Sequence, residues 1–258
     1  MTNNRPVKTM PIFSAGKSSL IATQAKIIEE IALKIYLHGR LVANIACAGN
    51  HLDELALGFL RAERIIHKRE QVSGINVDEI NHSVCVELKN GGEFSGASFQ
   101  NIASSGARGH AHLDALTPLP DATDLQINSG TILRLMEELL EGSEIHNETH
   151  GTHCSALARG DKIFVLREDI GRHNTIDMLG GYCLWQDISP ADALILTTGR
   201  ISSEIVYKIW NLRVPVIVSH SAPTTKAVEL VKKANITLIG YVRGEKMNIY
   251  SQERRVII

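Results

Sequence analysis

Three short segments place cations beside glycine or hydroxyls in a way that suits an anionic ligand. The first is Glu168-Asp169-Ile170-Gly171-Arg172-His173-Asn174 and the second is Thr198-Gly199-Arg200-Ile201-Ser202-Ser203-Glu204. The third is Ser219-His220-Ser221-Ala222-Pro223-Thr224-Thr225-Lys226. Two carry an arginine and the third a lysine, and the last two add pairs of hydroxyls. Each follows a strand-like run and precedes a helix-like one, where free backbone N–H groups attract anions. Guanidinium forks, hydroxyl donors and helix starts together fit a phosphate or diphosphate. The alternative is that the hydroxyls only cap helices and the arginines are solvated. A fourth segment is Tyr241-Val242-Arg243-Gly244-Glu245-Lys246-Met247-Asn248. Its Tyr241 can stack on a heterocycle, Arg243 and Lys246 can hold anionic oxygens, and Gly244 permits close backbone approach. The competing reading there is a plain hairpin turn between strands at 236–242 and 248–250. No Walker A or G-x-G-x-x-G fingerprint is present.

The run His146-x3-His150-x2-His153-Cys154 has the imidazole and thiol spacing from which zinc sites are written. It lacks a second ligand cluster, and the H-x-E and P-C-x-x-C signatures of zinc-dependent nucleobase deaminases are absent. We therefore expect no metal and read these histidines as polar lining of a pocket. Four cysteines, Cys47, Cys85, Cys154 and Cys183, stand far apart with no C-x-x-C. That pattern suits reduced, mostly packed thiols rather than a disulfide scaffold. Cys154 differs from the others because His153 adjoins it and Arg159 is near in sequence, and such cations lower a thiol pKa.

Bringing these residues together requires a scaffold. With 258 residues, 44% hydrophobic and 21% charged, the chain can bury a core without staples. Lys and Arg number 27 against 28 Asp and Glu, a formal net charge of −1. This balance excludes a general footprint for nucleic acid or an anionic membrane, while leaving room for a local basic pocket. No apolar run approaches the roughly 18–20 residues of a membrane span. Met1-Thr2-Asn3-Asn4-Arg5 lacks the start of a signal peptide, so the expectation is a cytoplasmic protein.

Residues 1–25 are polar and mixed, without sustained periodicity, and read as a loosely attached arm. Residues 26–100 read as a small α+β domain. It has two strands within 32–47 around His38-Gly39-Arg40, and further strands at 72–77 and 83–89. Between them lies a helix capped by Asn50 or Asp53, with Leu52, Leu55, Ala56, Phe59 and Leu60 on one face. Residues 101–125 are too small and polar to build a core and read as an interdomain loop. In 126–258 a helix capped by Ser129 runs to about 141. Strands at 162–167, 193–197, 214–219, 236–242 and 248–251 then alternate with helices at 174–185, 203–212 and 224–234. This is the pattern of an α/β layer on a largely parallel sheet. Ligands of such sheets bind beyond the carboxyl ends of the strands, where the three loops fall.

Several motifs, taken jointly, resemble one family. They are Thr149-His150-Gly151-Thr152-His153, Arg167-Glu168-Asp169-Ile170-Gly171-Arg172-His173-Asn174, Gly199-Arg200-Ile201-Ser202-Ser203-Glu204, Ser221-Ala222-Pro223-Thr224 and Arg243-Gly244. Their order and spacing are similar to the FdhD/NarQ family of formate dehydrogenase accessory sulfurtransferases. Glu54-Leu55-Ala56-Leu57-Gly58-Phe59-Leu60 is close to the family's N-terminal pattern, and the likeness runs from about Glu30 to the C-terminus. The resemblance implies a cytoplasmic homodimer with a cytidine deaminase-like, three-layer α/β/α C-terminal domain beside a smaller N-terminal α+β domain. It also implies a sulfur carrier. A loop cysteine takes persulfide sulfur from a cysteine desulfurase and passes it to the molybdenum cofactor, bis-molybdopterin guanine dinucleotide. The formate dehydrogenase apoenzyme then takes up that cofactor. The family's cofactor segment falls on Tyr241, Val242, Arg243, Gly244, Glu245 and Lys246. Further contacts are implied for His153, Arg172, His173, Gly199, Arg200, Ser202, Ser203, Ser221, Ala222 and Thr224, with guanine nucleotides as partial mimics.

One departure bears on the chemistry. The family carries a C-x-x-C just after a Ser-Ser pair, whereas here Ser104-Ser105 is followed by Gly106-Ala107-Arg108-Gly109. Glycine has no sulfur, so no persulfide forms at those positions. Cys154 is the candidate substitute carrier. The other reading is a cofactor-binding chaperone module without sulfur transfer.

Overall fold

The computed structural model describes residues 6–89, 100–102, 116–120 and 125–258. The segment from Ser104 to Gly109, with both glycine replacements, lies outside the described residues. The chain opens as an antiparallel hairpin of β1 (Val7–Ala15) and β2 (Leu20–Ile28), paired from Val7↔Ile28 to Ala15↔Leu20. The stretch read as a loosely attached arm is thus built as a two-stranded ribbon. Alternation marks a strand only when one of its faces is buried. Here Met10, Phe13, Leu20 and Ile21 are all exposed, so the sequence carries no such mark. At its base the ribbon is tied by a Lys26–Glu148 ion pair and by Ile28 lying against Gly151.

The next unit is a five-stranded sheet of β3 (Ile31–Leu37), β4 (Arg40–Cys47), β5 (Val72–Asp78), β6 (Ser83–Leu88) and β7 (Gln100–Ile102). Its order is β5-β6-β3-β4-β7. Leu33, Ile35 and Leu37 alternate onto one face with Val84 and Val86, where α1 (Leu52–Ala62) covers them. The residue preceding α1 is His51, in the left-handed conformation, in place of the expected Asn50 or Asp53.

A mixed six-stranded sheet follows. After β8 (Ile127–Asn128) come α2 (Ser129–Gly142), α3 (Glu144–Thr149), β9 (His153–Arg159) and β10 (Lys162–Asp169). Then α4 (Arg172–Trp185), β11 (Leu194–Thr197), α5 (Ser203–Asn211) and β12 (Val216–Ser219) alternate. The chain ends with α6 (Thr225–Lys233), β13 (Thr237–Arg243), β14 (Lys246–Ser251) and β15 (Val256–Ile257). The sheet order is β10-β9-β11-β12-β13-β14. Neighbouring strands pair in parallel only at β11–β12 and β12–β13, while β9 runs opposite to both its neighbours and β14 opposite to β13. The expectation of a largely parallel sheet is corrected to a mixed one. The cause is that β9–β10 and β13–β14 are hairpins, joined without a crossover helix. Asn128, not Ser129, caps α2, its side chain accepting from the Gly130 N–H at 2.8 Å.

Alternation through the sheet makes three layers. Leu157, Ile195, Ile217 and Leu238 face α4, α5 and α6, whereas Ala156, Leu196, Val218 and Ile239 face α2. The two sheet units share a seam between α1 and α4. A Cβ on Gly58 would lie 1.7 Å from the Asp177 carbonyl oxygen, and one on Gly181 would lie 1.9 Å from that of Glu54. Arg167 spans the same seam, its Nε and Nη2 each 2.6 Å from a Glu54 carboxylate oxygen.

Candidate functional site at the strand ends

The reversal of β9 and β14 has a geometric result. Asp169 pairs with His153, Thr197 with Ser155, and Arg243 with Lys246. The ends of β10, β11, β12 and β13 and the beginnings of β9 and β14 therefore occupy one edge of the sheet. All four sequence segments meet there.

Hydrogen bonds lace these loops together. The Thr198 N–H donates to the Cys154 carbonyl at 2.9 Å, and the Cys154 N–H donates to Thr198 Oγ1 at 3.0 Å. His220 N–H donates to Thr197 O, Thr224 N–H to Ile201 O, and Tyr241 N–H to Ser221 O, each at 2.9 Å. Ser219 Oγ donates to Gly199 O at 2.8 Å and accepts from the Ser221 N–H at 3.0 Å. A Cβ on Gly199 would come within 2.8 Å of Arg172 Cβ, so the arginine lies directly across that glycine. The Arg243 guanidinium sits 4.7 Å from the centre of the Tyr241 ring, and its Nε donates to His220 O at 3.4 Å. Tyr241 has φ +56°, a left-handed kink that breaks the β13–β14 register and turns its ring outward. The segment from Tyr241 to Lys246 is both a hairpin turn and part of the edge, so its two readings coexist.

The electrostatics are those of a site short of anions. Burial pushes the His153 pKa down, and Arg172, His146, His173 and Arg200 lower it further. Burial also lowers His173, against the pull of Glu204, whose Oε2 lies 3.3 Å from His173 Nε2. His220 is lowered by burial, then by Arg243 and His146. Arg172 is lowered by burial and by Arg200. Cations and neutral imidazoles thus crowd together, which a polyanion would relieve. Among the described residues, Arg172 Nε and His173 Nδ1 are buried without a hydrogen-bond partner. The Arg172 Nε–H fits an acceptor-rich ligand such as a diphosphate, whereas Nδ1 of a neutral His173 whose Nε2–H faces Glu204 becomes a donor only when the ring gains a proton.

Not every expected contact points to the edge. Val242 is 1% exposed and turns its side chain into the core toward α2, leaving only its backbone at the edge. Ser202 and Thr224 cap α5 and α6, accepting from the Ile205 N–H at 3.5 Å and the Ala227 N–H at 3.2 Å. Ser203 is buried. Arg200, Ala222, Thr224, Tyr241, Arg243, Gly244, Glu245 and Lys246 are exposed.

Cys154 lies at 0% exposure, and burial pushes its thiol up to about 12. Its sulfur faces Glu168 at 3.6 Å, and that carboxylate raises the thiol further. The activating arginine expected from sequence is remote. Arg159 stands five strand positions away, about 17 Å along β9, and pairs with Asp192. Cys47 and Cys183 are also buried and raised, to about 12 and about 11. Cys85 is half-buried. Among the described residues no three His, Cys, Asp or Glu side chains converge as metal ligands; His146 instead holds Thr152 O at 2.6 Å through Nδ1.

Two acids that open the first segment, Glu168 and Asp169, support the edge in a role their residue types did not suggest. Glu168 accepts from the Ile145 and His146 N–H groups at 3.1 and 2.8 Å, anchoring the start of α3. Asp169 accepts from Ala48 N–H, Gly171 N–H and Asn174 Nδ2 at 2.8, 2.9 and 2.7 Å, tying the end of β4 to the start of α4. Burial nevertheless raises its carboxyl to about 6. The available signal was two adjacent carboxylates closing a strand whose centre is the apolar run Ile163-Phe164-Val165-Leu166.

Residues 28–257 match the FdhD/NarQ family. A protein of Bacillus pumilus (strain SAFR-032) named sulfur carrier protein FdhD is 35% identical over 236 residues, 90% of each chain. One of Geobacillus kaustophilus (strain HTA426) with the same name is 35% identical over 256 residues, 97% of each chain. The crystal structure of a candidate formate dehydrogenase accessory protein from Desulfotalea psychrophila superposes with a TM-score of 0.84. That match has 23% identity and covers 98% of this chain and 100% of that one, a likeness of fold. The chain belongs to the FdhD/NarQ family.

Proposed function

We propose that the protein is a formate dehydrogenase accessory protein whose strand-end edge holds the guanine-dinucleotide form of the molybdenum cofactor on its way to the apoenzyme. One observation carries this reading. Arg172, Arg200 and Arg243, three histidines and Tyr241 meet at one edge, with an orphaned donor on Arg172. Arg172 and Arg200 suit the diphosphate, and Tyr241 with Arg243 above it offers a stacking surface for the purine. The cofactor is cargo, and the residues bind and orient it.

Sulfur relay is a separate step. A carrier thiolate attacks the outer sulfur of the desulfurase persulfide. The donor S–S bond breaks, its cysteine leaves as thiolate, and the carrier keeps a persulfide. Cys154 is buried and raised to about 12, which opposes both access and ionisation. That observation favours the second reading, in which this chain holds the cofactor in the cytoplasm and a partner supplies the sulfur.

Calorimetry with GDP tests the site. Micromolar or tighter binding is expected, weakened about tenfold or more by Arg200→Ala or Arg243→Ala. The three lowered histidines gain protons beside an anion, so binding near pH 6 should take up protons, seen by varying buffer ionisation heat. Absence of GDP binding would refute the edge as a nucleotide site. Incubation with a cysteine desulfurase and its persulfide should leave Cys154 unlabelled; sulfur on Cys154 would restore the carrier reading.

A further inference from the structure

A second concentration of positive charge lies far from the strand ends. A cavity of about 470 Å³ opens where the C-terminal ends of α1, α4 and α5 approach each other, a volume typical of small-molecule sites. Helix α4 begins at the strand-end edge and ends at this cavity. Its 14 residues separate the two by about 21 Å.

Arg61, Lys68, Arg69 and Arg213 line the cavity against Glu70 and Asp187 alone, leaving an excess of two positive charges. Arg69 is committed, stacked 3.8 Å from the Trp185 ring centre and donating to Val72 O at 3.0 Å. Arg61, Lys68 and Arg213 form no ion pair with any described residue. Arg61 is partly buried, and burial foremost, with the Arg213 charge across the same cavity adding to it, lowers its pKa. Arg61 Nη1 makes one long contact, donating to Gly180 O of α4 at 3.4 Å, and at the helix ends themselves backbone N–H groups already serve the last carbonyls. Gln186 N–H bonds Tyr182 O, Ile188 N–H bonds Cys183 O, and Arg213 N–H bonds Trp210 O, each at 2.9 Å. Arg213 also stands at φ +64°, a position that glycine occupies without strain.

The geometry points to a second anion site. The cavity between Arg61, Lys68 and Arg213 binds a small phosphorylated molecule of sugar-phosphate to mononucleotide size, its phosphoryl group held between Arg61 and Arg213. A phosphate monoester near neutral pH carries close to two negative charges, which matches the excess. Arg61 and Arg213 offer the paired forks that phosphate oxygens accept. Leu184, Ile188 and Pro190 give the rest of the ligand an apolar wall. A concave cavity of this volume suits a small molecule better than an acidic peptide lying across an open surface.

Calorimetry on the full chain with ribose 5-phosphate, AMP and inorganic phosphate tests the assignment. It is run on the native protein and on an Arg200→Ala, Arg243→Ala protein that silences the strand-end edge. Ribose 5-phosphate or AMP should bind both proteins within about twofold of each other, more tightly than inorganic phosphate, and weaken with added salt. Arg213→Gly should cost about tenfold or more in affinity while keeping the melting temperature, since glycine is the unstrained residue there. Lys68→Ala, at an exposed position, should weaken binding severalfold. Undiminished binding in Arg213→Gly, or loss of binding in the edge-silenced protein alone, would overturn the proposal. So would an Asp-rich peptide that binds where none of the three phosphates does. The strand-end reading stands or falls separately, on GDP binding.

Discussion

Gly199 and Arg172 show how one absent methyl group shapes the strand-end edge, since the arginine rests where a side chain at 199 would stand. The thiols express the same dependence on surroundings. A cysteine raised from 9.0 to about 12 has about a thousandfold less thiolate at neutral pH than an unshifted one. Treatment of the native protein with iodoacetamide at pH 8 should therefore modify Cys85 first, leaving Cys47, Cys154 and Cys183 intact until the fold is lost. Peptide mass spectrometry reads the order, and early modification of Cys154 would contradict its burial. Adjacency in sequence suggested that His153 and Arg159 would activate Cys154. A strand sends neighbouring side chains to opposite faces, and five positions carry Arg159 far along the sheet. Asp169 works in the opposite sense from most acids. Its folded pKa of about 6 lies above the ordinary 3.8, so its contribution to stability is full below about pH 4 and is lost as the pH rises through 6.

Among the elements, α1 and α4 form the tightest contact, backbone against backbone at Gly58 and Gly181. A methyl group at either position cannot be absorbed by a side-chain rotation, because the atom it meets is a carbonyl oxygen. Gly58→Ala or Gly181→Ala should cost about 3 kcal/mol or more. Differential scanning calorimetry should show a fall of roughly 10 °C in Tm; an unchanged Tm would mean that the helices can separate freely. Much of this architecture could be read in advance. Strands at 193–197 and 214–219 and the helices after them were legible because apolar runs and helical periodicity alternate there. The start of β9 was not legible, since His153, Cys154 and Ser155 look like the tail of a histidine-rich loop. Nor was α3, whose six residues bury only Ile145. The loops at the carboxyl ends were identified by residue type, and the sheet topology supplied what the sequence could not. That is the reversed β9, which brings His153 beside Arg172 and Arg200. Val242 shows the opposite outcome, because a motif position does not reveal which way a side chain turns.

For the whole molecule, α4 is the common axis. Its first turn faces the strand ends, its middle packs against α1, and its last turn borders the basic cavity. Met178 and Leu184 on this helix also complete the core under the five-stranded sheet. Asp169 and the Arg167–Glu54 pair join the two sheet units beside the candidate site. Changes at the seam should therefore be felt at the strand ends. The β1–β2 ribbon stands outside this mutual dependence, since its contacts with the body lie near its base and its tip is Gly16-Lys17-Ser18-Ser19. Within the described residues, brief trypsin digestion should nick first after Lys17, and N-terminal sequencing of the large fragment would show it. A first cut inside α1 or α4 would contradict this. The ribbon is a detachable handle, and a chain shorn of it should melt within a few degrees of the intact protein.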